Sequence, residues 1–220
     1  MSPRREVLAK GEFYHICSKS IAGYVIFNHD LEFSRMLSLI RYYQLGEVKV
    51  RFSDFIGDAE ESFEEKFQTY SRGKEKRVRM IAYSLMPTHI HLLLQQLEPG
   101  GINRYMANVL NGYARYFNLK HKRRGPLWEA RFKSILVKID SQLLHLTRYI
   151  HLNPTTAHLA NSPEEWQYSS YREYIAMPMT RKLCDYQNLI DLHPEDYQKF
   201  VEDRISYQQE LAEIKHLILE

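Results

Sequence analysis

Residues 78–95 read VRMIAYSLMPTHIHLLLQ, and the fold follows from them. Val78 to Leu85 is dense in apolar and β-favouring side chains and predicts a strand, and His89 to Gln95 predicts a second. Met86-Pro87-Thr88 between them must turn or bulge, because proline cannot donate to a sheet ladder. Within the second strand His89 and His91 stand two residues apart. Both imidazoles therefore project from one face while Ile90 and Leu92 point to the other. Such a pair suits a divalent ion of the Mn²⁺ or Zn²⁺ kind without completing a site. Two partly buried histidines hydrogen-bonded to their neighbours would give the same pattern.

The chain on either side fits the same sheet. Glu12 to Ser18 (EFYHICS) alternates and predicts a first strand. Leu31, Phe33, Met36, Leu37 and Ile40 follow helical spacing from Asp30 to about Leu45. Residues 46–76 hold no sustained period apart from a short helix over Glu60 to Tyr70, and read as an insertion. After the Gly100-Gly101 break, Ile102, Tyr105, Met106, Val109, Leu110, Tyr113 and Phe117 mark a helix to Lys120. Phe132 to Val137 predicts a fourth strand. A last core helix over Gln142 to Leu152 follows, capped by Asp140 or Ser141 and stopped by Pro154. Strand, helix, two strands, helix, strand, helix is the order of an α+β, ferredoxin-like antiparallel sheet with helices packed on one face. Residues 181–220 are expected to be a helical extension with charged surfaces, above all Pro194 to Leu219.

Composition narrows the function classes. With 220 residues and 44% hydrophobic side chains the chain can bury a full core. Its longest apolar runs, such as Leu92-Leu93-Leu94, fall far short of the roughly 18 residues of a membrane span. Arg4, Arg5 and Lys10 precede no apolar secretory region, so a cytoplasmic protein without membrane contact is expected. Cys17 and Cys184 match no CxxC pattern and read as buried thiols. The net charge of +3 conceals an asymmetry: residues 102–150 hold ten Lys and Arg against Glu129 and Asp140, whereas 191–220 hold eight acids against three bases. A basic segment between acidic flanks is what a nucleic-acid enzyme would carry, although a solvated charged face gives the same count.

Residues 146–154, LTRYIHLNP, end the last core helix. Tyr149 and Asn153 are four apart and share a helix face, leaving Leu146 and Ile150 free to face the sheet. A phenol can form covalent intermediates, but with a reference pKa near 10 it needs help at neutral pH, and a metal that polarises the group under attack provides it. Tyr113 and Tyr116 are rival nucleophiles on the preceding helix. Their neighbours one turn on, Phe117 and Lys120, offer no ligand, so Tyr113 reads as core and Tyr116 as a surface or DNA-side residue.

Taken in order, MPTHIHLLL (86–94), GPLWEARFKSILV (125–137), LTRYIHLNP (146–154) and EEWQYSSYREY (164–174) resemble the HUH single-tyrosine transposases, in the branch of REP-associated tyrosine transposases. The resemblance implies a catalytic domain over residues 1–180 on a ferredoxin-like fold. It implies a divalent metal, Mg²⁺ or Mn²⁺, held by His89 and His91 with Asn153 completing coordination. Tyr149 would be the nucleophile that cleaves and rejoins single-stranded, hairpin-bearing DNA through a 5′-phosphotyrosine, with no nucleotide cofactor. Many relatives outside the branch carry glutamine where Asn153 stands, and the shorter side chain makes direct ligation less certain there than at the histidines. Both a homodimer and a monomer are compatible with the sequence. Lys120, Lys122, Arg123, Arg124, Arg131 and Lys133 surround Trp128, which suggests phosphate pairing around an aromatic base-stacking platform, packing of Trp128 against the sheet being the alternative. His151 beside the tyrosine reads as a structural or supporting residue. The competing functions are a non-catalytic nucleic-acid-binding module on the same fold and a metal hydrolase that activates water.

Overall fold

The computed structural model describes residues 7–57, 62–129, 131–138, 140–179 and 181–205. The expected helix start at Glu60, the N-terminal Arg4 and Arg5, and the tail beyond Ile205 lie outside them. In chain order the elements are β1 (Phe13–Lys19), α1 (Asp30–Tyr43), α2 (Phe52–Ile56), α3 (Phe63–Ser71), β2 (Val78–Met86), β3 (His89–Gln96), α4 (Gly101–Lys120), β4 (Lys133–Val137), α5 (Asp140–Thr156), α6 (Tyr171–Tyr174) and α7 (Pro194–Glu202).

The four strands form one antiparallel sheet in the order β2-β3-β1-β4. β2 and β3 turn through Pro87 and Thr88, with Met86 paired to His89. The turn is held from outside: the Thr88 carbonyl accepts from the Ser20 N–H and the Pro87 carbonyl from the Ile26 N–H. That fixes where β3 begins, and so where its histidines stand. A bulge between Met80 and Ala82 lets Met80 and Tyr83 face one side of β2 and Ile81 and Ala82 the other.

α1 and α4 cover one face, burying Tyr14, Ile16, Ile90, Leu92 and Leu94. α4 can start close to β2 because a Cβ on Gly101 would lie 2.6 Å from the Arg77 carbonyl oxygen, and because the Gln96 side chain accepts from the Ile102 N–H at 3.1 Å. The fold class is as expected, but the helices do not all share that face. α5 and α7 pack on the opposite one, where Leu143, Ile150, Leu152, Tyr197 and Val201 meet Ile81, Ala82 and Leu93. The strands are apolar on both sides away from the histidines, so one layer of helices could not bury them.

Three further local differences have clear causes. Residues 46–76 hold two helices, α2 and α3, whose Phe52, Phe55 and Tyr70 rings pack around Tyr42 of α1. Pro154 does not end α5, which runs to Thr156. In the final turn its missing N–H costs one bond, and the Thr155 hydroxyl donates to the Leu152 carbonyl at 2.9 Å. Among the described residues of the expected helical extension, α7 is helical and the stretch before it is not. Residues 181–193 are irregular because their backbone N–H groups go elsewhere: those of Leu183 and Cys184 to the Glu173 carboxylate, that of Asp185 to the Met80 carbonyl at the β2 bulge. Both cysteines are free and half-buried rather than fully buried.

Candidate active site

The site lies on the sheet face that α5 covers. Strand alternation and register place His89 and His91 of β3, His15, Cys17 and Lys19 of β1, and Lys133 and Ile135 of β4 on that face, with His91 opposite Cys17 and His89 opposite Lys19. α5 brings Tyr149 down onto them. Its ring meets His91 edge-on at a centroid distance of 5.9 Å and His15 edge-on at 6.0 Å, while the residue stays 41% exposed. The phenol thus touches the histidine pair and is still open to a ligand. Ile150 beside it is fully buried in the core, as the helical register requires.

The histidines are held and kept neutral. His89 Nδ1 is 3.0 Å from the Thr88 hydroxyl, and His91 Nδ1 is 2.9 Å from His15 Nε2. Burial lowers His89 to about 4, with Lys19 pushing the same way, and lowers His91 to about 3, with His89, His15 and Lys19 adding to the effect. Burial also lowers His15 to about 4. Neutral imidazole is the form that binds a metal. With both Nδ1 atoms engaged by protein groups, Nε2 is the atom each ring has to offer. Cys17 is no anionic rival, since burial pushes its thiol up. Burial likewise raises Tyr149, so the phenol keeps its proton at neutral pH.

Asn153 follows Tyr149 by one turn of α5. Its amide nitrogen is buried without a partner, a cost that a ligand would relieve. Turning the amide end over would place its oxygen, a metal ligand, at the same point. Among the described residues no three His, Cys, Asp or Glu side chains form a metal cage. The donors that the sequence assigns to a metal, two imidazoles on β3 and an amide on α5, are neutral nitrogen and oxygen groups that would leave coordination positions open. That set fits a divalent cation of an open, catalytic kind.

His15 was missed from the sequence. The only signal for it was the alternation in EFYHICS, which places His15 and Cys17 on one side of β1 without saying which strand lies alongside. Among the other tyrosines, Tyr113 is fully buried with its hydroxyl donating to the Ile26 carbonyl, and half-buried Tyr116 lies beneath the Arg35 guanidinium. His151 is fully buried, its two nitrogens bonded to the Tyr197 and Ser170 hydroxyls at 2.7 Å each, so it ties α5 to α6 and α7.

The basic residues do not act as one cluster. Lys120 pairs at 2.9 Å with the buried Glu32, and Arg123 donates to Asn118 and to the Gly125 carbonyl. Trp128 is packed, as in the alternative reading of it. It is 9% exposed, packs against Tyr113, and donates its indole N–H to the Leu110 carbonyl at 3.0 Å. A groove of about 550 Å³ between α4 and residues 125–132 is walled by Trp128, Arg131 and Phe132. Lys122, Arg124, Arg131 and Lys133 are exposed, and Lys133 alone of these is on the site-bearing face of the sheet.

Residues 38–153 match the family model described as transposase, IS200-like. The chain belongs to the IS200-like transposase family. The match spans more than half of the chain and includes His89, His91, Tyr149 and Asn153, while His15 precedes it. The IS200-like chain is also 24% identical over 133 residues to a Haemophilus influenzae protein described as a REP-associated tyrosine transposase, covering 56% of this chain and 72% of that one. A solved structure of a REP-associated tyrosine transposase bound to a REP hairpin shares its fold at a TM-score of 0.55 and 13% identity, covering 87% of this chain and 99% of the other. Among the described residues of this IS200-like protein, no helix is long and apolar enough to cross a membrane.

Proposed function

We propose that this transposase cleaves and rejoins single-stranded, hairpin-bearing DNA in the cytoplasm, with His89, His91 and Asn153 as the metal site and Tyr149 as the nucleophile. The observation that carries the reading is the edge-on contact of the Tyr149 ring with His91, which puts the phenol beside the one face that offers two neutral imidazoles. A divalent cation, Mg²⁺ or Mn²⁺, bound there supplies polarisation of the scissile phosphate and stabilisation of charge on the departing oxygen.

The chain's own groups account for the remaining steps. Tyr149 enters as the neutral phenol and gives up its proton as its oxygen bonds to phosphorus, and its exposure leaves water a path to take that proton. The bond from phosphorus to the 3′ oxygen breaks, and that oxygen gains a proton to become the free 3′-OH. The product is a 5′-phosphotyrosine, whose phosphodiester keeps the energy of the bond it replaced. Attack by a 3′-OH on the same phosphorus returns Tyr149 and joins the strands, so no nucleotide cofactor enters. Lys19 and Lys133, on the same sheet face as the histidines, are placed to pair with flanking phosphates, and Lys122 and Arg124 extend the basic surface beyond α4. α5 carries Tyr149 to β3 of its own polypeptide, so the reading needs only a monomer.

The test is incubation with Mn²⁺ and labelled single-stranded hairpins, followed by denaturing electrophoresis and mapping of the modified residue. A covalent adduct on Tyr149, absent in Tyr149→Phe, is the expected result. An adduct that survives in Tyr149→Phe would sink the assignment. Turnover with no adduct would favour a metal hydrolase, and binding without any strand cleavage a passive DNA-binding module.

A further inference from the structure

His15 belongs to none of the motifs that point to the site, yet its ring is within hydrogen-bond distance of His91. β1 and β3 run antiparallel with Cys17 opposite His91 and Leu93 opposite His15, so His15 and His91 are diagonal neighbours on one face, within reach for long or aromatic side chains. The two rings lie 15° from parallel with centroids 5.1 Å apart, and His15 Nε2 lies 2.9 Å from His91 Nδ1, so they meet edge to edge through those two nitrogens. Tyr149 rests edge-on against both rings.

Two neutral imidazoles can share that contact in only two ways. If His15 donates, His91 must carry its own proton on Nε2, and the nitrogen it would offer a metal is blocked. If His91 donates from Nδ1, its Nε2 keeps a lone pair. We propose that His15 is a positioning residue that accepts the Nδ1 proton of His91, fixing the tautomer and ring orientation in which His91 Nε2 binds a divalent cation. His89 differs in having the Thr88 hydroxyl at its Nδ1, a group that rotates to donate or accept and so imposes less on the ring. The two histidines are thus held unequally: an imidazole hydrogen-bonded in nearly the same plane fixes His91, and a side chain of the turn steadies His89. The inference rests on His89 and His91 being the metal pair.

The experiment is an Mn²⁺ titration of the full chain without DNA, following the free-ion electron paramagnetic resonance signal, in wild type, His15→Phe and His15→Gln. Thermal unfolding of each variant is recorded alongside. Phenylalanine keeps a flat ring in the same place and removes the acceptor, whereas glutamine offers an amide oxygen near the place of Nε2. His15→Phe should bind Mn²⁺ about 10- to 100-fold more weakly, as is usual when the partner of a metal-bound histidine is removed. His15→Gln should recover to within about threefold of wild type, because it restores the acceptor. Long-range ¹H–¹⁵N spectra of the metal-free protein should show His91 protonated on Nδ1 in wild type and a mixture of tautomers in His15→Phe. Wild-type affinity in His15→Phe, no recovery in His15→Gln, or an Nε2 proton on wild-type His91 would each overturn the inference while leaving the metal pair standing. Should wild type itself bind no Mn²⁺, the metal reading and this inference fall together. If His15→Phe unfolds early, His15→Leu is titrated in its place against the same criteria.

Discussion

Leu92 and His91 are consecutive in β3 and belong to different halves of the molecule. Leu92 enters a core sealed by α1 and α4, where Tyr14, Ile16, Met80 and Leu94 are all buried. His91 enters a face that α5 covers only in part, since Ile135 on the β4 side of it is 63% exposed and Tyr149 above it is 41% exposed. The first face binds its helices by apolar area. The second accepts desolvated histidines, an unpartnered amide and uncovered sheet, all of which cost stability, and in return leaves room for a substrate strand. On the proposed function, the α1 and α4 side serves stability alone, while the α5 side joins its own apolar core of Ile81, Leu93 and Ile150 to the site.

The sharpest way to break that division is Tyr149→Phe. It should remove the covalent DNA adduct completely, while the melting temperature moves by no more than about 2 °C, because a half-exposed hydroxyl contributes little to folding. A large fall in melting temperature would mean that Tyr149 belongs to the core after all. Leu92→Ala tests the other side of the sheet, one residue along β3 from His91. It should cost about 2–5 kcal/mol in denaturant unfolding, through lost burial and the cavity left behind. Mn²⁺ binding measured below the unfolding transition should be unchanged. A loss under about 1 kcal/mol would show that the α1 and α4 layer is loosely packed.

Acid should act on the sealed side through Glu32. Burial alone would raise this carboxyl, but hydrogen bonds from Lys120, the Asn28 backbone, His121 and the Asn28 side chain bring it down to about 2. Its folded pKa is depressed, so its contribution is complete above the unfolded value near 4.5 and is lost as pH falls toward 2. Glu32→Gln should therefore flatten the loss of stability between pH 4.5 and 2 by up to one proton's worth of slope, and leave the slope above pH 6 unchanged. Equal slopes for the two proteins in the acid range would remove Glu32 as the tie between α1 and α4.

The sequence made one side of this comparison easier to read than the other. Apolar spacing in α1 and α4 and alternation in β3 locate the sealed face, because burial repeats along the chain. Strand period put His89 and His91 on one face and helical period put Tyr149 and Asn153 on one stripe, but only the family resemblance gave them roles. His15 was not legible, since its meaning depends on the β1 to β3 register, a long-range pairing with no trace in local spacing. Trp128 misled for a related reason: the charges around it suggested nucleic acid, while the contact that decides its role, with Leu110 of α4, comes from elsewhere in the chain. The placement of α5 opposite α1 and α4 was also hidden, because strands apolar on both sides do not say which helix covers which.

The two readings of Trp128 yield the last and smallest effect. If the DNA strand lies on the site-bearing face, Lys133→Ala should reduce the slope of log affinity against log salt by about 1 and weaken binding of all single strands alike. Trp128→Phe should leave that slope unaltered, because its ring is packed and its N–H is already given to the Leu110 carbonyl. The cost of Trp128→Phe should appear instead in stability, as about 1–2 kcal/mol for the lost hydrogen bond and the smaller ring. Reversal of the two results, with Trp128→Phe abolishing DNA binding and Lys133→Ala silent, would move the nucleic-acid path from the α5 face to the groove between α4 and residues 125–132. The basic loop would then lead the DNA, and the histidine face would meet only the scissile phosphate.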